Sequence, residues 1–297
     1  MRLEELTLEH ETTFRDFVDR NRTGKNCQFE DSWAYILQAT RNWPRIYMGD
    51  GNLVLFSKKD DGTIVVPNYF VSDDGVLTDL VRRFGQKVIL KNVNLEDVER
   101  LRKLGFNEYE EGEQWSDDFL YDDQTFPQQV LDLVELIKLE GKNYAGLRRN
   151  LNYFRKTSEG IIVREYDPDR NKERIIQLTE LQEERNPGTL EAHRVYFDIG
   201  STEYLLPLVF EIEGVVVGFT LLDRISEQCV AYNALIYDAD VLQLSYRITL
   251  ESARVAVESG YKFFNLQGSE TVSLDQWKRK FNPAISIHKT HLVYGSE

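Results

Sequence analysis

Along the chain the hydrophobic positions switch between the two periods that mark regular structure, alternation for strands and a three-to-four spacing for helices. LTLEHETTFRDFVDRN reads as a helix opened by Thr7 with acids in its first turn, and FEDSWAYILQAT as a second, shorter helix. The runs RIYMG, NLVLFSKK and TIVVPNYF follow as strands. Asp50-Gly51-Asn52 and Asp60-Asp61-Gly62 separate them, which is hairpin chemistry because Gly and Asn tolerate positive φ. VLTDLVRRFG then reads as a helix, QKVILKNV as a strand, LEDVERLRKLG as a helix ended by Gly105, and Asp118 to Tyr121 as a further strand.

Pro127 opens a long helical stretch, QQVLDLVELIKLEGKNYAGLRRNLNYFRK, whose Val130, Val134 and Ile137 follow the helical period, with a break expected at Gly141 or Gly146. A helix around NKERIIQLTELQEER precedes three strands, YLLPLVFEIE, VVVGFTLLDRI and QCVAYNALIYD, turned at Gly214 and at Ser226-Glu227. The helix VLQLSYRITLESARVAVESG places Val241, Leu244, Ile248 and Val255 on one face and is capped by Gly260. The strand YKFFNLQG, a helical turn DQWKRKF and a last strand ISIHKTHLVY complete the chain. This is an α+β pattern of local hairpins, not a repeating βαβ. The halves share a loose order of helices, meander, helix and strand, without a residue-level repeat.

Composition narrows the class. The 297 residues exceed the usual single-domain size, and 41% hydrophobic with 12% aromatic content is ample for packed cores. A formal net charge of -14 disfavours general adhesion to DNA or anionic membranes, although a local basic groove remains compatible with it. Cys27 and Cys229 form no disulfide framework and read as reduced thiols. The start MRLEELTLEHE lacks the features of a signal peptide, and no apolar run approaches the roughly 18 residues that span a bilayer. The expectation is a cytoplasmic protein without membrane insertion.

Meander, helix, strand, helix, strand is the order of the GNAT-type acyltransferase fold, and the ordered set LTLEH, DSWAYILQAT, GDGNLVLF, GKNYAGLRRNLNYF and FNLQGSETVSLDQWKRKFNP adds a more specific likeness. Over nearly all its length the chain resembles the phosphatidylglycerol lysyltransferase C-terminal domain family, seen also as stand-alone cytosolic proteins with two tandem GNAT-like domains related to Fem-type transferases. The resemblance implies a degenerate GNAT-like domain over 1–125, a linking helix with a basic end over 126–158, and a GNAT-like domain carrying the donor site over 159–297. It implies two central strands, QCVAYNALIYD and YKFFNLQG, that splay around the donor. It also implies transfer of an acyl group from acyl-CoA or aminoacyl-tRNA to an amine or hydroxyl. One departure matters: the junction IYDADVLQLSY has no glycine-rich loop, and Asp238 and Asp240 stand where CoA phosphates would bind.

Candidate site residues follow from charge and from this frame. Between Gly141 and Ser158, Lys142, Arg148, Arg149, Arg155 and Lys156 occur without an acid, with Asn150 and Tyr153 among them. They read either as a solvated helix end complementing the dipole or as a phosphate cradle. Lys278, Arg279, Lys280 and Lys289 form a second island, and the two make one anion groove only if they face the same opening. Trp277 and Phe281, four apart, share a helix face, for core packing or base stacking. Acyl transfer needs a base and oxyanion donors. Glu270 is the first candidate base, Asn265 and Gln267 orient substrate, and Tyr232 and Asn233 offer a hydroxyl and an amide from the opposite arm. Ordinary strand-end hydrogen bonding is the alternative for each. His193, in the loop GTLEAHRVYFD near the expected acceptor side, reads as a surface histidine by default, and His288 and His291 fall on opposite faces of a strand, so no metal is expected. The acceptor is open: a small molecule, a peptide or a lipid headgroup. The competing reading is a non-catalytic ligand-binding or scaffolding protein of the same fold.

Overall fold

A computed structural model describes residues 2–22, 24–41, 43–84, 87–108, 126–158, 160–185, 188–269 and 271–295. The first part of the chain forms β1 (Arg2–Glu5), α1 (Glu11–Asn21), α2 (Trp33–Thr40), β2 (Arg45–Gly49), β3 (Asn52–Lys58), β4 (Ile64–Phe70), α3 (Gly75–Phe84), β5 (Val88–Asn94), α4 (Val98–Lys103) and β6 (Asn107–Glu108). After it come β7 (Gln128–Asp132), α5 (Leu133–Lys138), α6 (Ala145–Thr157), β8 (Ile162–Glu165), α7 (Pro168–Glu183), α8 (Thr189–His193), β9 (Leu205–Ile212), β10 (Val215–Arg224) and β11 (Cys229–Tyr237). The chain closes with α9 (Leu244–Glu258), β12 (Phe263–Asn265), α10 (Val272–Arg279), β13 (Ile285–Ile287) and β14 (Lys289–Tyr294).

Two mixed sheets result, ordered β1-β2-β3-β4-β5-β14-β6 and β13-β7-β12-β11-β10-β9-β8. Each contains one parallel pair, β4 with β5 and β11 with β12, reached across a helix, while the other pairs are antiparallel. This is the α+β, tandem GNAT-like architecture. Helices α3 and α4 cover the outer face of the first sheet, and α5, α6, α9 and α10 that of the second. Between the sheets lies one shared core in which Phe14, Trp33 and Ile36 pack with Leu178, Tyr196, Phe219 and Ile236.

Three local expectations are corrected. The stretch opened by Pro127 is not one helix: Gln128 to Asp132 is a strand between β12 and β13. Val130 and Leu131 are fully buried on opposite faces, so sheet pairing on both sides overrides the helical spacing. The helix starts only at Leu133, where the Asp132 side chain accepts the Glu135 N–H at 3.0 Å, and ends with Leu139 in the left-handed region (φ 55°) rather than at a glycine. ISIHKTHLVY is two strands: β13 pairs with β7 in the second sheet, and β14 returns to β5 in the first. The segment GTLEAHRVYFD, expected as a loop, contains α8, and the strand expected at Asp118 to Tyr121 lies outside the described residues.

A buried polar knot fixes the two halves against each other. Asp223, in the apolar strand β10, pairs with Arg15 of α1 at 2.5 Å, and its second oxygen accepts the Ser32 hydroxyl at 2.6 Å and the Ala34 N–H at 2.9 Å. Glu30 pairs with Lys289 and accepts Gln128 Nε2–H at 3.0 Å. Cys27 and Cys229, free and far apart in sequence, both enter the shared core, and burial followed by the Cys27 neighbour raises the Cys229 thiol. Removing one partner of a buried ion pair costs about 3–5 kcal/mol, whereas a half-exposed pair contributes up to about 1 kcal/mol. In urea unfolding, Asp223→Ala is therefore expected to lose most of that larger amount. Asp19→Ala, which breaks the outer pair to Arg224, should shift the midpoint only slightly.

Candidate active site

The second sheet opens at its parallel pair. β11 and β12 are in register from Cys229–Phe263 to Ala231–Asn265, where β12 ends while β11 runs on to Tyr237. On its other side β11 bulges: Leu222 opposes Tyr232 and Leu221 opposes Ala234, so Asn233 is the extra residue. A bulge frees a side chain from the ladder and re-aims it. Past Asn265 the chain turns away through Gln267 (φ 68°), whose N–H is held by Asn265 Oδ1 at 2.7 Å.

The first sheet parts likewise, since β4 and β5 are in register only from Ile64–Val88 to Val66–Leu90. Its own chain occupies the surroundings. Asn68 on β4 donates to the Glu30 carbonyl at 2.6 Å and to Asp31 at 2.9 Å, and Asn92 on β5 donates to the Tyr35 hydroxyl at 2.7 Å.

Two cavities meet at the opening in the second sheet. The larger, about 560 Å³, lies in the splay and is lined by Tyr232, Leu235, Ser245, Leu266 and Trp277 among others. The smaller, about 180 Å³, lies between the domains, with Tyr35, Gln38, Ala39 and Arg41 from α2 and its end, and Lys91 from β5. Thr189, His193, Asn233, Gln267, Leu274 and Lys278 line both and form the neck between them.

His193 is held by a chain of local bonds. Both oxygens of Glu183 accept backbone N–H groups, from Gly188 and Leu190 at 2.7 Å each, which anchors the start of α8 and keeps that carboxyl below its ordinary value. At the other end of this short helix, His193 Nδ1 lies 2.8 Å from the Thr189 carbonyl. A carbonyl only accepts, so Nδ1 carries the proton and Nε2 is the basic nitrogen. Desolvation pushes the ring's pKa down, and Arg41 adds to that against the bond to Thr189. A neutral imidazole in the neck has the chemistry of a general base. Lys278, buried, donates to the carbonyls of Gln267 and Gly268.

The residues singled out from sequence divide. Tyr232, Asn233, Gln267, Trp277 and Lys278 line the cavities. The Tyr232 hydroxyl lies 3.3 Å from Thr249 Oγ1, whose own proton goes to Ser245, so the phenol donates there, and burial raises its pKa. Asn265 is fully buried, donating to Gln128 at 3.0 Å and to the Cys27 carbonyl, and orders the interface instead of lining a cavity. Trp277 meets Phe281 edge to face at 5.0 Å, and Lys280 Nζ donates to the Tyr246 hydroxyl at 2.8 Å. Lys142, Arg148, Arg149, Asn150 and Tyr153 line neither cavity. Leu147, Leu151 and Phe154 of α6 are buried in the core shared with α9. Lys142, Arg149, Arg155 and Lys156 are exposed, and Arg148 donates to the Leu139 and Gly141 carbonyls. The α6 cations therefore do not line the neck that Lys278 lines. Glu270 lies outside the described residues.

Sequence reasoning took His193 for a surface histidine and missed Arg41, Lys91 and the Ser32–Asp223 pair. Only the last left a signal: an acid inside an apolar strand, and a serine directly before the helical run WAYILQAT. The acids expected to repel phosphate at the start of α9 are paired, Asp240 with Arg185 at 3.1 Å and Asp238 with Arg174 at 4.0 Å.

The fold recurs in solved proteins. A conserved protein of unknown function from Bacteroides thetaiotaomicron superposes with a TM-score of 0.73 at 16% identity, covering 99% of both chains. L-PGS from Bacillus licheniformis gives 0.65 at 18% identity, covering 98% of this chain and 93% of that one. FemX gives 0.63 at 12%, covering 100% and 98%. At such identities the likeness is one of fold. No curated protein sequence matches the chain. The profile of the phosphatidylglycerol lysyltransferase C-terminal family matches residues 24–289, most of the chain, and the protein belongs to that family.

Proposed function

We propose that the protein transfers an acyl or aminoacyl group from an activated ester or thioester to an amine or hydroxyl, with donor and acceptor arriving from opposite sides of the neck. The observation that carries this reading is the meeting of the two cavities at residues able to move a proton and stabilise an anion. The donor's acyl end occupies the splay, and the acceptor enters between the domains. His193 Nε2 takes the proton of the nucleophile as it attacks the carbonyl carbon. The positive charge of Lys278 stabilises the oxyanion, and the leaving oxygen or sulfur departs towards the splay. Family membership supports this chemistry, and no helix among the described residues is long and apolar enough to cross a membrane.

Of the two donors, aminoacyl-tRNA is the better supported. The cations of α6 are spread along an exposed helix face, which suits a polyanionic backbone, and the start of α9 carries two aspartates in place of a glycine-rich turn.

Calorimetry and thermal shift with CoA, acetyl-CoA and aminoacyl-tRNA test the donor. Binding of none would remove the transferase reading, and binding without turnover would make the chain a ligand-binding module. Replacing Arg149 and Arg155 together by Ala should weaken tRNA binding and flatten its salt dependence by roughly one unit per lost phosphate contact, leaving CoA untouched. With a donor in hand, His193→Gln should lower transfer by about 10²–10⁴ while donor affinity holds. An unchanged rate would hand the role of base to Glu270, with Glu270→Gln as the decisive variant. Since burial lowers the His193 pKa, the wild-type rate should fall as pH drops through a value below about 6.5. The unfolded chain takes up this proton first, so stability should also decline below about pH 6.5, with a shallower slope in His193→Gln.

A further inference from the structure

Ser32, Asp223 and Asn233 form a line of polar atoms that starts in the domain interface and ends at the neck. Asp223 is an acceptor only, bound by Arg15 and the Ala34 N–H, so the Ser32 hydroxyl 2.6 Å away must donate to it. That uses the one proton Ser32 has, and its oxygen then accepts the Tyr35 N–H at 3.2 Å. Asn233 Oδ1 lies 3.0 Å from the same Ser32 oxygen, and Asn233 Nδ2 is buried with no hydrogen-bond partner among the described residues. In that orientation two oxygens face each other with no proton between them, and an amide donor is stranded. The oxygen and nitrogen of an amide have nearly the same shape and are told apart by their partners. Turning the group over removes both defects at once: Nδ2 donates to Ser32, and the carbonyl oxygen takes the position away from it.

We infer that Asn233 works in this second orientation and that its carbonyl oxygen is a hydrogen-bond acceptor for the group delivered at the neck. Asn233 then orients the amine or hydroxyl of the acceptor substrate and does not donate to an acyl oxygen. The bulge supplies the means, since Asn233 is out of the ladder and the residue lines both cavities. Ser32 belongs to the first domain and Asn233 to the second, so domain docking sets the polarity of the neck. The identity of the ligand as nucleophile rests on the transfer reading above, while the amide orientation does not.

Neutron diffraction from perdeuterated crystals of the full chain reads the orientation directly. The expected result is two deuterium atoms on the amide atom nearest Ser32, one aimed at Ser32 Oγ. Deuterium on the other atom would overturn the inference and leave the transfer reading standing. A failed transfer assay with the expected deuterium positions would do the reverse. The ligand class is tested by calorimetry with ethanolamine, which carries donors, against N,N-dimethylacetamide, which only accepts. Ethanolamine should bind in preference, and Asn233→Leu should weaken it roughly 5- to 10-fold, the value of one hydrogen bond. Preference for dimethylacetamide, no ethanolamine binding, or equal affinity in the variant would each reject the assignment. Should Asn233→Leu fail to fold, Asn233→Ala takes its place with the same expected loss.

Discussion

A carboxylate placed inside an apolar strand must be met by charge and hydrogen bonds, and Asp223 makes that demand at the centre of this molecule. β10 cannot bury it without Arg15 of α1 and the first turn of α2, so the strand of one domain is completed by helices of the other. Separating the domains would strand the acid and the Ser32 hydroxyl and leave Arg15 with Glu11 alone. The cleft between the domains is therefore part of the folded structure and not a gap between loosely joined units, and a site assembled across it inherits that rigidity.

The stretch from Asn26 to Ala34 is where this demand spreads. Its backbone and side chains reach Asn68 in the first sheet, Gln128 and Asn265 in the second, and Lys289 at the crossing between β13 and β14. The sheets also exchange strands: β7, which follows the first domain, joins the second sheet, and β14, from the chain end, joins the first. Both sheets open at a parallel pair. Around the first opening the protein's own Glu30, Asp31 and Tyr35 are the partners, and beside the second a cavity remains. The same architecture serves once for docking and once leaves a cavity.

Much of the fold was legible because it is written locally. Asp-Gly turns, alternating apolar runs and the face shared by Leu244 and Ile248 pointed to the hairpins and to α9. The errors came where long-range pairing overruled a local period, as in Gln128 to Asp132, or where a single run serves two sheets, as in Ile285 to Tyr294. The site was legible in part. Residues after β12 and in α10 stood out by their chemistry, and Gln267 and Lys278 do line the neck. The cations of α6 stood out equally and line neither cavity, because charge clustering in sequence says nothing about which way a helix faces. His193 stood near the expected acceptor side but read as a surface residue, since its basic nitrogen is set only by the Thr189 carbonyl and its lowered pKa only by burial.

By itself, then, the sequence determined the α+β class, the order of meanders and crossover helices, the absence of a glycine-rich phosphate turn and the family likeness, all of which depend on neighbours along the chain. The tertiary structure alone decided that the last run of residues divides between two sheets, that the α6 cations line neither cavity, and that histidine, lysine and asparagine meet at one neck. Those outcomes rest on burial and on hydrogen bonds between residues far apart in the chain. Neither quantity has a value until the two sheets have closed on Asp223.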